Sequence, residues 1–174
     1  HYLGNGDSPD HKMGEHNNIE AVAAAAGEHW VETFLRLSDE NNGTVLFNMI
    51  GENQNLGALR DLFDGGRVFP GVGDAGAHVS MVMDAGWATF VLSHWVRSEG
   101  LFTMGEAIRR LTSGPARILG IADRGALQPG LRADINVFDA DTVAEAYPYR
   151  VNDFPGGAPR LTQKSIGYKA TVVN

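Results

Sequence analysis

The sequence predicts an α/β fold that passes into a smaller β-rich segment, and three observations predict it. Two nearly continuous apolar runs, Thr44 to Ile50 and Arg67 to Val72, have the β-branched and aromatic content of strands covered on both faces, as in parallel sheets. Leu56 to Phe63, between them, has helical spacing, and strand-helix-strand order is the mark of α/β architecture. After Gly120 the character changes. Gly125 and Pro129-Gly130 punctuate alternating stretches at Leu131 to Phe138 and Gly167 to Val173, which read as antiparallel strands.

Taken in order, His1 to Asn18 is rich in Gly, Asn and Asp and reads as a loop, so the chain is expected to begin mid-domain. Asn17 and Glu20 have N-cap and N3 spacing, and Ala21 to Ala26 then supply strong helix formers until Gly27. Between His29 and Leu37, the positions of Trp30, Val31, Phe34, Leu35 and Leu37 predict an amphipathic helix closed by an Asn41-Asn42-Gly43 turn. Val79 to Ser98 reads as one long helix, with Met83, Trp87, Val91, Leu92 and Trp95 at helical spacing. Thr103 to Glu106 matches a capping box for a further helix ending near Ser113-Gly114-Pro115. Asp139 to Arg160 shows no periodicity and reads as an irregular excursion, and no solenoid-period repeat is present. These features divide the chain into residues 1–120 and a β subdomain at 121–174.

With 174 residues, the chain has the length of one compact globular unit. Its net charge of -7 and its scattered basic residues argue against nucleic acid as a partner. Its longest apolar stretches fall far short of the about 20 residues that cross a bilayer, so no membrane partner is expected and the protein reads as soluble; the compartment is left open, with a cytoplasmic location the default expectation. Because Cys is absent, any bound metal must rely on His and carboxylates.

The segment Gly71 to His78 (GVGDAGAH) carries the most chemical information, since it sets a carboxylate in a glycine-rich turn at the carboxyl end of an apolar strand. Asp74 there could bind a metal or accept a proton from water, and it could equally cap a following helix. His78, four residues on, would share a helical face with Asp74 and could join it as a metal ligand; the plainer alternative is a hydrogen-bonded structural histidine. Gly71, Gly73 and Gly76 also satisfy G-x-G-x-x-G, but no second strand with its acidic residue follows, so a dinucleotide site lacks its context. His94 is expected to be packed or partly exposed; His11 and His16 fall in the opening loop, and His29 starts a helix without a role. Asn48, Glu52 and Asn53 could line a polar pocket or form an exposed turn. No serine elbow, P-loop, H-E-x-x-H or H-x-H motif occurs.

Gly73 to His78 (GDAGAH), Ser93 to Arg97 (SHWVR) and Leu111 to Gly120 (LTSGPARILG) together closely resemble the N-acyl-D-amino-acid deacylase branch of the amidohydrolases. Asp123-Arg124-Gly125, Leu127, Pro129-Gly130 and Ala133 to Asp139 resemble the signature of that branch, DRG-x-L-x-PG-x-x-AD-x-x-VFD, and Arg150 to Gly157 resembles its next loop. The resemblance implies the C-terminal part of a (β/α)₈ barrel, incomplete in this chain, followed by strands of a small β-sandwich. Thr44 to Ile50 would then be the seventh barrel strand and Arg67 to Val72 the eighth. It also implies metal-dependent deacylation of N-acyl-D-amino acids or related amides, with zinc as the cofactor. In this picture Asp74 is the catalytic carboxylate that carries a proton from metal-activated water to the leaving amine, and it is also a candidate metal ligand beside His78.

The resemblance leaves the H-x-H pair and the later histidine ligands of the family without counterparts here. One carboxylate and one histidine do not make the three or so protein ligands that a catalytic zinc takes. An alternative expectation follows for the chain alone: a non-catalytic oligomeric fragment, self-associating to cover strand edges that a complete barrel would pair.

Overall fold

The computed structural model describes residues 1–5, 10, 14–49, 51, 55–81 and 84–174. These fall into two compact units, His1–Gln54 with Tyr149–Arg160, and Asn55–Pro148 with Leu161–Asn174. Ile50, Glu52, Asn53, Met83, His11 and most of the opening glycine-rich run lie outside the described residues.

In the first unit, β1 (Tyr2–Asn5) pairs antiparallel with β2 (Val45–Phe47), in the register Tyr2 to Phe47 and Asn5 to Val45. The expected buried parallel strand at Thr44 to Ile50 is therefore shorter, antiparallel and half-buried. Among the described residues it has a single neighbour and no second ladder, so its apolar residues are covered incompletely. Helix α1 (Ile19–Ala26) starts at Asn18 rather than at Asn17: Asn18 Oδ1 accepts from the Glu20 and Ala21 amides at 2.9 and 3.4 Å. Asn17 is buried instead, its Oδ1 accepting from the Gly14 amide. Gly27 ends α1 at φ 69°, the left-handed conformation that glycine adopts without a Cβ penalty.

Helix α2 (Trp30–Glu40) is capped by His29, whose ring nitrogen accepts from the Val31 amide while Glu32 returns a carboxylate to the His29 amide at 3.0 Å. That gives His29 a local structural role. Thr33 and Leu37 turn inward with Ala23 and Leu3, and the Phe34 ring lies 4.5 Å from that of Phe47. Arg36 joins Glu28 and Glu40, and the Arg36 hydrogen bond lowers the pKa of Glu28. Strand β5 (Tyr149–Val151) leads into a loop that Arg160 closes on Asp153 through two bonds of 2.6 and 2.7 Å. The same pairing holds the Asp153 carboxyl below its ordinary range.

The second unit contains α3 (Leu56–Asp64), α4 (Trp87–Phe90), α5 (Met104–Leu111) and α6 (Ser113–Ile118). Its core joins Phe63, Val91, Leu92, Trp95, Phe102, Ala107 and Val143. Helix α4 continues as a π-helix over Val91–Ser98, so the long helix expected from Val79 begins eight residues late and is wider than an α-helix. Residues 79–81 form turns, and Gly86 stands where the helix starts. The expected strand Arg67 to Val72 forms no strand and pairs with no other among the described residues, and Val72 is 99% exposed.

Thr103 caps α5 as its spacing predicts, its hydroxyl accepting from the Glu106 amide at 3.2 Å. Glu106 does not return to the cap. It takes Arg109 through two 2.8 Å bonds and Arg110 through one of 2.7 Å, and the Arg109 hydrogen bond, with Arg110 adding to it, brings the Glu106 carboxyl down to a pKa of about 2. Because this folded-state value lies below the ordinary 4.5, the pair's contribution to stability is present above pH 4.5 and is lost as pH falls toward 2. Glu106→Gln is therefore expected to melt below the parent at pH 7, with the difference closing as pH drops from about 5 to 2. A pH-independent difference in thermal midpoints would contradict this.

The β-rich end is as expected in kind. Strand β3 (Ile135–Phe138) pairs antiparallel with β8 (Tyr168–Val172), Ile135 opposite Val172 and Phe138 opposite Tyr168. Strand β4 (Ala144–Glu145) pairs antiparallel with β7 (Ser165–Ile166), and β6 (Arg160–Thr162) lies just before β7. The signature residues before β3 are structural. Arg124 bonds Asp134 at 2.9 Å and Arg132 bonds Asp123 at 2.8 Å. Gly125 holds φ 93° where a Cβ would stand 2.9 Å from that of Ala116.

Candidate active site

The turn bearing Asp74 is built within the second unit by bonds from three directions. Locally, the Ala77 amide donates to Asp74 O at 3.1 Å and the Met81 amide to His78 O at 2.7 Å. From ten residues downstream, Asp84 Oδ2 accepts the Asp74 backbone N–H at 2.6 Å. From the β-rich end, the Leu161 amide donates to Val79 O at 2.8 Å, and Gln163 Oε1 accepts from the Gly86 amide at 3.1 Å while its Nε2 donates to Ala146 O. Ser93 adds a 2.7 Å bond to Glu145.

Glycine permits the close approach. A Cβ at Gly73 would lie 2.7 Å from Asp84 Oδ2 and 2.9 Å from Trp87 Cδ1. Gly76 sits at φ 95°, a conformation that side-chain-bearing residues rarely adopt.

The Asp74 and His78 side chains are both exposed, and no hydrogen bond or ion pair joins them. No α-helix spans 74–81, so the shared helical face that would align them is not formed. The Asp74 carboxylate is open to solvent while its main chain is anchored. Among the described residues no group of three or more His, Asp or Glu side chains is placed to hold a metal. The described residues therefore do not make up a zinc site by themselves.

The other candidates separate clearly. His94 is packed, its ring stacked 4.6 Å from that of Phe90 and edge-on to Trp95. His16 lies exposed 3.7 Å from Asp10. Asn48 exchanges backbone bonds with His1, donating its amide to His1 O at 2.8 Å and accepting the amino terminus at 2.7 Å. With Ile19, Trp30, Phe34, Phe47, Met49 and His1 it lines an open depression of about 390 Å³ in the first unit. Gly71, Gly73 and Gly76 lack the strand before and the helix after that a dinucleotide turn requires. Asp84 escaped the sequence reading, its one signal being a carboxylate inside an otherwise apolar stretch read as helix.

The chain belongs to the amidohydrolase family, whose profile matches residues 10–164. Within that family it is similar to the N-acyl-D-glutamate deacylase of Alcaligenes xylosoxydans xylosoxydans, 48% identical over 61 residues that make up 34% of this chain and 12% of that protein. It is similar also to the D-aminoacylase of the same organism, 46% identical over 90 residues, 51% of this chain and 17% of that protein. The imidazolonepropionase of Ruegeria sp. (strain TM1040) is 45% identical over 53 residues, 30% of this chain and 13% of that protein. The matched segments thus span less than a fifth of these relatives. No solved structure matches. No described helix is long and apolar enough to cross a membrane.

Proposed function

We propose that this chain is the part of a D-aminoacylase-like hydrolase that supplies its proton-carrying carboxylate, Asp74, for cleaving the amide of N-acyl-D-amino acids or related compounds. The observation that carries the reading is an exposed carboxylate whose backbone amide is held at 2.6 Å in a glycine-rich turn of an amidohydrolase. The names of the two deacylase relatives support the substrate class. In the reaction, water adds to the acyl carbon as Asp74 takes one of its protons. The C–N bond then breaks as Asp74 returns that proton to the departing nitrogen, leaving a carboxylic acid and a free amine. An enzyme at work near neutral pH needs such a group because amide nitrogen is a poor leaving group until it is protonated.

In this reading residues 1–120 belong to a (β/α)₈ barrel and residues 121–174 to a β-sandwich. Zinc, implied by the resemblance, would draw ligands from beyond the described residues, which do not fit it by themselves. The chain alone is accordingly inactive, and its exposed apolar residues, among them Val72 and Met49, favour self-association.

The test is a substrate panel. The full-length protein, with zinc and then with a chelator, is assayed for amine release from N-acyl-D-amino acids, N-acyl-L-amino acids, a lactam and a cyclic imide. Metal-dependent turnover of the D-series, absent from the 174-residue chain, is expected. Turnover confined to the lactam or the imide would reassign the substrate, and none on any amide would refute the reading.

A further inference from the structure

We infer that Asp84 is a positioning residue for Asp74, a carboxylate whose task is to fix where the proton carrier stands; this rests on the reading of Asp74 as that carrier. Asp84 Oδ2 accepts the backbone N–H of Asp74 at 2.6 Å, a short bond of the strong, charge-assisted kind. Its other oxygen, Oδ1, is shut off from solvent and has no hydrogen-bond partner among the described residues. Leaving a carboxylate oxygen dry and unpaired is unfavourable, and a side chain chosen for stability alone would not be placed so.

The surroundings are built around this contact. Gly73 leaves no room for a Cβ, which would meet Asp84 Oδ2 at 2.7 Å and Cγ at 3.0 Å, so the turn and the carboxylate can close on each other. Asp84 is itself immobilised: its carbonyl accepts the Trp87 amide at 3.2 Å, and the adjacent Gly86 amide is held by Gln163. The Leu161 amide holds Val79 between the two aspartates. Asp84 therefore ties a point anchored to the β-rich end of the unit to the one residue whose position decides proton transfer.

A displacement of about 1 Å at a reacting group can lower turnover by about 10²-fold, so loss of the clamp should appear in kcat and not in substrate binding. In the full-length protein, Asp84→Ala is expected to lower kcat by roughly 10- to 100-fold with KM within about twofold. Asp84→Asn keeps an oxygen that can accept the Asp74 amide, and should restore kcat to within about threefold of the parent.

Hydrogen exchange supplies a readout independent of turnover: the Asp74 amide of the parent should exchange slowly, and Asp84→Ala should abolish that protection. Free exchange of this amide in the parent overturns the clamp. So does a kcat for Asp84→Ala within about threefold of the parent, an equal loss in the Asn and Ala variants, or a KM that rises in step with a falling kcat. Failure of the underlying reading looks different, since Asp74→Asn would then retain turnover while the Asp74 amide stayed protected.

Discussion

Asp74→Asn in the full-length protein is expected to reduce kcat for amide hydrolysis by about 10²- to 10⁴-fold while leaving the melting temperature close to that of the parent. Asparagine has nearly the same shape as aspartate, and the structural work at this position is done by the backbone: the Asp74 amide bonds Asp84 and its carbonyl accepts from Ala77. Neither bond involves the side chain that the substitution alters. What disappears is the ability to take a proton from water and return it to nitrogen, a contribution of the size expected for general acid-base catalysis. Steady-state kinetics beside thermal melting separate the two effects. A variant that keeps more than a tenth of the parent turnover would remove Asp74 from the chemistry.

Arg110→Ala is expected to destabilise the fold by about 3–5 kcal/mol, a loss measured by denaturant unfolding. Arg110 is only 4% exposed, and its guanidinium spends every edge: Nη1 donates to Val68 O at 2.6 Å, Nη2 to Phe63 O at 2.8 Å, and Nε to Glu106 at 2.7 Å. Its flat face lies 4.7 Å from the centre of the Phe102 ring. Truncation would take the donor from Val68 O, leave Phe63 O with the Gly66 amide alone at 3.1 Å, unpair Glu106 from its buried partner and remove the stacked surface from the core. Lysine in its place should recover part of the loss, since one ammonium cannot serve both carbonyls and lie flat on the ring. A change below about 1 kcal/mol would mean that water or a neighbouring side chain takes over those acceptors.

Much of the local structure was legible because its causes are local. The Thr103 cap, the end of α1 at Gly27 and the strand character of β3 and β8 follow from side chains within a few residues of the feature they specify. The start of α1 was misplaced by one because Asn17 and Asn18 have the same chemistry, and only the fold decides which amides each can reach. Arg67 to Val72 has the composition of a strand buried between two others, but a ladder needs partners, and none pairs with it among the described residues. The apolar spacing after Asp74 predicts a helix from Val79, whereas the chain forms turns at 79–81 and the helix starts at Trp87, widening to a π-helix at Val91.

At the site, the glycines and the carboxylate of residues 71–78 stood out on composition alone. Asp84 did not. No spacing rule links a carboxylate to an amide ten residues away when turns intervene, and the contact exists only once the chain has folded back.

The anchoring of the Asp74 turn by residues near the carboxyl end carries an evolutionary consequence. Gly86 and Gln163 are 77 positions apart, yet a Cβ at Gly86 would fall 2.6 Å from Gln163 Oε1 and 3.0 Å from Glu145 Cβ, so a side chain at 86 would push Gln163 off the bond it accepts from the Gly86 amide. Chimeras that join the turn of one relative to the strands of another should therefore inherit a mismatch at this pair, and descendants that drift in one segment should carry a compensating change in the other.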